Sequence, residues 1–260
     1  MAFLRKQTSE GSIGLLYSII QKCIRRGLEE ECLYYSDILY KEGTPNSLRK
    51  RLVYVTNEDI CNLKLAKEIP VALLIVGDPM QATTHVDLEA RCNEMNINFN
   101  VVPGITATAL AVSLSGLQSY RFGRQVTIPF SYGDYLPYSP LEMICNNYEN
   151  NLHTLVLFDL DPTGMGLDKP NPMKPNEAID LLERMSEKMA LEAHSFKILK
   201  KHVKEWNGVL LTDISMKNQK VSAGKLGDLL KLDKGWIHCM IVPATMNENE
   251  LEAFERRNFL

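Results

Sequence analysis

The sequence predicts an α/β fold of two lobes, and three observations carry that prediction. Residues 69–76 and 153–159 are apolar almost throughout, the pattern of strands buried on both faces. Between residues 69 and 115, strand-like and helix-like stretches alternate across short turns, the order that builds a βαβα arrangement. After Gly116 the character changes and a second set of strands and helices begins, so the lobes are placed at residues 1–110 and 111–260.

Each element follows from its local pattern. Ile13, Leu16, Ile19, Ile20 and Cys23 give a helical stripe, and Cys32-Leu-Tyr-Tyr35 reads as a strand. Residues 50–56 alternate as a short strand, and Asn57-Glu-Asp59 caps a helix ending near Lys67. The buried strand 69–76 stops at Gly77-Asp-Pro79, and a helix from about Thr83 to Met95 follows, capped by Thr83 or Thr84. Residues 98–102 form the next strand, closed by Pro103-Gly104, and residues 105–115 read as a buried, alanine-rich helix.

The second lobe opens with a strand at 125–130, a helix at 139–150 and the buried strand at 153–159. Residues 161–175 carry four prolines and two glycines and must be a loop. Asn176 caps a helix that places Ile179, Leu182 and Met185 on one face. Strands at 208–211 and 236–242 flank a small helix at 225–231.

Composition narrows the function. The chain has 260 residues, 45% hydrophobic and 23% charged, which excludes a disordered or collagen-like chain. The longest apolar run has eight residues, far short of the ~20 that cross a bilayer, and Arg5 and Lys6 break any N-terminal signal pattern. A cytoplasmic protein is expected. Net charge is −3, without the basic excess of a general nucleic-acid binder. The clusters Lys22-Arg25-Arg26, Arg49-Lys50-Arg51 and Lys197-Lys200-Lys201-Lys204 read first as solvated faces, and otherwise as docking sites for an acidic or RNA-associated partner. Six cysteines form no C-x-x-C pair, so structural zinc is not expected and the thiols read as free.

The chemistry concentrates in two strand-to-helix turns. Gly77-Asp-Pro-Met-Gln-Ala-Thr-Thr-His85 follows a buried strand, the place where ligands collect in open α/β sheets. There Asp78 could accept hydrogen bonds from a ligand, or could simply be a turn carboxylate. Gly104, in Val102-Pro-Gly-Ile-Thr-Ala107, lets a ligand approach the main chain because no Cβ intervenes. No G-x-x-x-x-G-K-[ST], G-x-G-x-x-G or G-x-S-x-G motif occurs, so nucleotide triphosphates, dinucleotides and serine hydrolysis lose ground. The five histidines form no metal pattern, and His153 and His238, inside apolar strands, read as structural.

The G-D-P-M-Q-A-T-T-H run, Gly116-Leu-Gln-Ser-Tyr-Arg-Phe-Gly123, Asn151-Leu-His-Thr-Leu155 and Ile237-His-Cys-Met-Ile-Val-Pro243 resemble the diphthine synthases. That family consists of S-adenosylmethionine-dependent methyltransferases of the tetrapyrrole-methylase fold, and the resemblance spans roughly residues 48–250. It implies a mostly parallel sheet in the first lobe, a mixed sheet in the second, and a cofactor cleft between them. It also implies methylation of a modified histidine of elongation factor 2, the step that makes diphthine in diphthamide biosynthesis, by a homodimer. The positions that match the family's cofactor contacts are Asp78, Gln81, Gly104, Ile105, Phe158, Ile214 and His238; no catalytic residue and no metal are singled out.

The chain departs from the family pattern in places. Residues 1–11 lack its glycine-rich loop, Tyr35-Ser-Asp37 only approximates its Tyr-Thr-Ser segment, and Thr212-Asp-Ile-Ser215 stands where it has A-R-x-G. The altered N-terminus supports a second reading, a non-catalytic descendant that binds cofactor or a partner. A third reading, methylation of a small tetrapyrrole, fits the A-T-T-H and Leu-His-Thr-Leu segments poorly.

Overall fold

The computed structural model of the protein describes residues 20, 29–41, 71–81, 85–131, 136–161, 171–191 and 195–258. They fall into two compact units, one ending at Ile105 and the other starting at Thr106. The expectations for residues 1–19, the strand and helix between 50 and 67, the threonine caps at 83 and 84, and most of the 161–175 loop lie outside the described residues.

In the first unit, α1 spans Glu29–Lys41 and α2 spans His85–Glu94. The strand read at Cys32-Leu-Tyr-Tyr35 is therefore helix. Three glutamates open that helix in the sequence, and acidic residues there are favoured by the helix dipole over the local β propensity of the tyrosines. Helix α2 closes in a Schellman motif: Asn96 takes a left-handed φ of 54°, and the Ile97 N–H donates to the Cys92 carbonyl at 2.8 Å. Ile97 then packs with Met95 and Phe99 on the buried Leu88 and Cys92.

Residues 71–76 and 98–102 join no β-ladder among the described residues. Leu74 and Val76 are fully or almost fully exposed, against the expectation of a strand buried on both faces. Such burial requires paired neighbours and covering helices, and no described residue pairs with this run.

The second unit is built on a five-stranded sheet. Its strands are β1 (Val126–Ile128), β2 (Thr154–Phe158), β3 (Asn207–Thr212), β4 (Lys220–Lys225) and β5 (His238–Val242), in the order β1-β2-β5-β3-β4. β1 and β2 are parallel; β5 runs antiparallel to β2 and β3, and β4 antiparallel to β3, so the sheet is mixed.

Helices cover both faces of this sheet: α3 (Ala107–Ser115), α4 (Ser139–Glu149), α5 (Pro175–Leu191), α6 (Leu226–Leu229) and α7 (Glu248–Glu255). Val156, Phe158, Leu210, Met240 and Val242 face one core with residues of α4, α5 and α6. Their strand neighbours Leu155, Val209, Leu211 and Ile241 face the other, with Ala111 of α3 and Phe254 of α7. The two-residue side-chain period thus explains why the strands read as unbroken apolar runs.

Helix ends follow local chemistry. Thr106 caps α3, and Gly116 ends it at a left-handed φ of 80°, where an added Cβ would press on Ala253 and the Arg257 guanidinium. Helix α5 starts one residue before the expected cap: Pro175 opens it, Asn176 lies in the first turn, and Glu177 accepts from the Lys174 N–H at 2.7 Å. Lys197 to Lys204 is not one helix face but two short 3₁₀ turns, 198–200 and 203–205, which bury Ile198 and Val203.

His153 is a satisfied structural residue, as its place in an apolar strand suggested. Its Nδ1 accepts from the Ala244 N–H at 3.0 Å, so Nε2 carries the proton and donates to Glu250 at 3.0 Å. Glu250 is fully buried and also accepts from Arg121 and from the N–H groups of Gln118 and Asn247. Through the Asn247 capping box, this cluster fixes the start of α7 against the entry to β2.

Candidate functional site

The candidate residues lie at chain turns and at strand ends. In the first unit, Gly77 takes a φ of 87°, open to glycine, and Asp78 follows. Asp78 Oδ1 accepts from the Met80 N–H at 2.8 Å, and Oδ2 accepts from the Gly104 N–H at 3.1 Å. The Gln81 N–H closes the turn on the Asp78 carbonyl at 3.4 Å, and His85 Nδ1 lies 2.6 Å from the Pro79 carbonyl. The two glycine turns touch: a Cβ on Gly104 would stand 1.9 Å from the Gly77 carbonyl oxygen. Gly104 is therefore required by close backbone approach, here of Gly77. Asp78, Gln81, Gly104 and Ile105 are thus gathered, with Gln81, Gly104 and Ile105 exposed.

In the second unit, the three central strands bring Phe158, Thr212 and His238 to one end of the sheet. Thr212 pairs with His238, and Phe158 follows Leu157, the partner of Cys239, in the antiparallel register. Phe158 and His238 are both buried. Thr212 Oγ1 lies 3.0 Å from His238 Nδ1. The other ring nitrogen, Nε2, is buried and has no hydrogen-bond partner among the described residues. A buried polar atom left bare costs on the order of 1–3 kcal/mol, so it marks a position where a ligand's polar atom is expected.

Burial first, and then the Lys174 ammonium, hold the His238 imidazole below its ordinary pKa; Asp213, Asp233 and the backbone at Gly235 oppose them. The ring is neutral at neutral pH. Lys174 is itself held by the Gly235 carbonyl, to which its Nζ donates at 2.8 Å.

Ile214 sits in the turn between β3 and β4, flanked by two residues of positive φ, Asp213 at 48° and Ser215 at 69°. Ser215, neither glycine nor asparagine, holds a left-handed φ at a cost in backbone strain. Thr212 and Asp213 were visible in the sequence only within a departure from the family pattern, and Gly235 was not singled out. The signal was available: Thr212-Asp213 closes an apolar strand as Gly77-Asp78 closes its own run, and Gly235 precedes the strand that opens at His238.

Residues 17–230 match the family model described as Tetrapyrrole (Corrin/Porphyrin) Methylases. The chain belongs to this family. Within it, the chain is 37% identical over 184 residues to the diphthine synthase of Methanocorpusculum labreanum, which covers 70% of this chain and 66% of that protein. It is 31% identical over 210 residues to the diphthine synthase of Methanococcus maripaludis, covering 80% of this chain and 75% of the relative. A crystal structure of diphthine synthase superposes with a TM-score of 0.62 at 25% identity, over 75% of this chain and 68% of that one.

Proposed function

We propose that this protein is an S-adenosylmethionine-dependent methyltransferase that methylates the modified histidine of elongation factor 2 to diphthine. The family membership and the diphthine synthase relatives support the reaction class and the protein substrate. The structural observation that carries the reading is His238, a neutral buried imidazole with one nitrogen lacking a partner among the described residues.

The residues fit the cofactor. S-adenosylmethionine, when bound, supplies an electrophilic methyl group on a cationic sulfonium. His238 Nε2 is proposed to bond a polar atom of it, and a neutral ring adds no repulsion toward a cation. Within the first unit, Asp78, Gln81, Gly104 and Ile105 are proposed contacts, and each Asp78 oxygen serves one backbone N–H and keeps a lone pair. Within the second unit, Phe158 and Ile214 are proposed contacts beside His238. Methyl transfer is an in-line displacement, so the chain's part is to hold the acceptor in line, which can supply most of the rate. The protein is further proposed to be cytoplasmic and homodimeric. No helix among the described residues is long and apolar enough to cross a membrane.

Calorimetric titration with S-adenosylmethionine tests the reading. Saturable binding by the parent chain, weakened on the order of tenfold in His238→Ala, is expected from the loss of one buried hydrogen bond. Absence of binding by the parent would overturn it.

A further inference from the structure

We propose that Asp213 is a positioning residue: its carboxylate ties the turn after β3 to residues 235–237 and thereby sets the place of the His238 ring. This rests on the reading of His238 as a cofactor contact.

Asp213 is 2% exposed, and its contacts join its own turn to the residues that precede His238. Oδ1 accepts from the N–H groups of Trp236 and Ile237, both at 2.9 Å, and Oδ2 accepts from the Asn218 side-chain amide. Its own N–H donates to the Ile237 carbonyl at 2.9 Å. Residues 236 and 237 are the two that lead directly into His238, so both peptide groups before the imidazole are held by one side chain.

Gly235 makes the arrangement close. At a φ of 115°, a Cβ there would lie 2.2 Å from Thr212 Cγ2, 3.0 Å from Asp213 Oδ2 and 3.4 Å from His238 Cε1. Thr212, Asp213, Gly235 and His238 are thus packed around one Cα. Thr212 fixes the ring through Nδ1, and Asp213 fixes the backbone from which the ring hangs. Together they leave Nε2 without a hydrogen-bond partner among the described residues. The charged groups that act on the ring are Lys174, Asp213 and Asp233.

The test compares the parent with Asp213→Asn and Asp213→Ala, with folding checked by circular dichroism. Asparagine keeps the Oδ1 acceptor and tolerates left-handed φ; alanine removes the tie. The first readout needs no cofactor: the titration of the His238 imidazole followed by NMR, its signal assigned by its absence in His238→Gln. In Asp213→Ala the ring loses its fixed, buried place, and its midpoint rises toward that of an ordinary histidine; in Asp213→Asn it stays depressed. A midpoint in Asp213→Ala that is unmoved, or lower still, would show that Asp213 contributes only charge and would overturn the proposal.

The second readout is a double-mutant cycle on S-adenosylmethionine affinity. Asp213→Ala should weaken binding on the order of tenfold, as expected for a lost hydrogen bond, and should cost nothing further in a His238→Ala background. Fully additive losses would contradict action through His238. Failure of the parent to bind S-adenosylmethionine would remove the cofactor reading while leaving the NMR result to decide whether Asp213 positions the ring.

Discussion

Asp78 and Gly104 are joined across the first unit: Asp78 Oδ2 accepts the Gly104 N–H at 3.1 Å, while the Gly104 Cα lies so close to Gly77 that no side chain fits between them. One carboxylate and one missing side chain therefore hold two turns in register. The same pair is matched to cofactor contacts by resemblance, so structural and ligand roles can be separated only by comparing stability with affinity.

Asp78→Ala leaves the Met80 and Gly104 N–H groups without this acceptor. A loss of about 1–3 kcal/mol in unfolding free energy is expected, partly recovered in Asp78→Asn. Denaturant melts without ligand measure it. An unchanged midpoint would show that water replaces the carboxylate without cost.

Gly104→Ala drives a methyl group into the Gly77 carbonyl, an atom of the backbone that cannot rotate away. The expected cost is on the order of 1–3 kcal/mol, the usual range for overpacking. Ser215→Gly should do the opposite and stabilise the chain by up to about 1 kcal/mol, because Ser215 holds a φ of 69° that glycine adopts without strain. Thermal melts of the two variants should move in opposite directions.

Acid should weaken the protein through the His153–Glu250 pair. Burial holds the His153 imidazole below its ordinary value of 6.5, against the pull of Glu250. Burial also opposes ionisation of Glu250, but the N–H groups of Gln118 and Asn247 and the His153 ring outweigh it and set its pKa below the ordinary 4.5. Both folded values are depressed, so below them the unfolded chain has already taken up protons that the folded chain resists. The stability is present above the unfolded values and is lost as pH falls, from about 6.5 for His153 and from about 4.5 for Glu250. His153→Gln should flatten the slope of stability against pH below 6.5, where His238 contributes in the same direction. An unchanged slope would remove His153 from the acid response.

Burial pushes the Cys145 and Cys239 thiols up to about 12. Both should react slowly with alkylating reagents at pH 8 in the folded protein, and quickly once it is unfolded. Rapid labelling of folded protein at Cys239 would contradict the packing of β5.

The second unit was legible wherever one period dominated. Thr154–Phe158 is apolar on both faces, and Ile179, Leu182 and Met185 repeat at helical spacing, so burial alone specified them. Strand β4 went unread because Lys220–Lys225 mixes charges, glycine and serine, and its pairing with β3 supplies what its composition lacks. Helix α7 was missed although Asn247 and Glu250 spell a capping box. At the candidate site, His238 was recognisable as a contact only by resemblance. Its two supports, Thr212 and Asp213, come from a strand 26 residues away for the former and depend on sheet register, which no local pattern encodes.

Transfer of a radiolabelled methyl group from S-adenosylmethionine to elongation factor 2 tests the central claim most directly. Label should appear on factor that carries the aminocarboxypropyl-histidine precursor, should be absent from factor whose histidine is unmodified, and should fall sharply with His238→Ala enzyme. Label on a tetrapyrrole instead, or on unmodified factor, or none at all from a parent chain that binds the cofactor, would contradict the assignment.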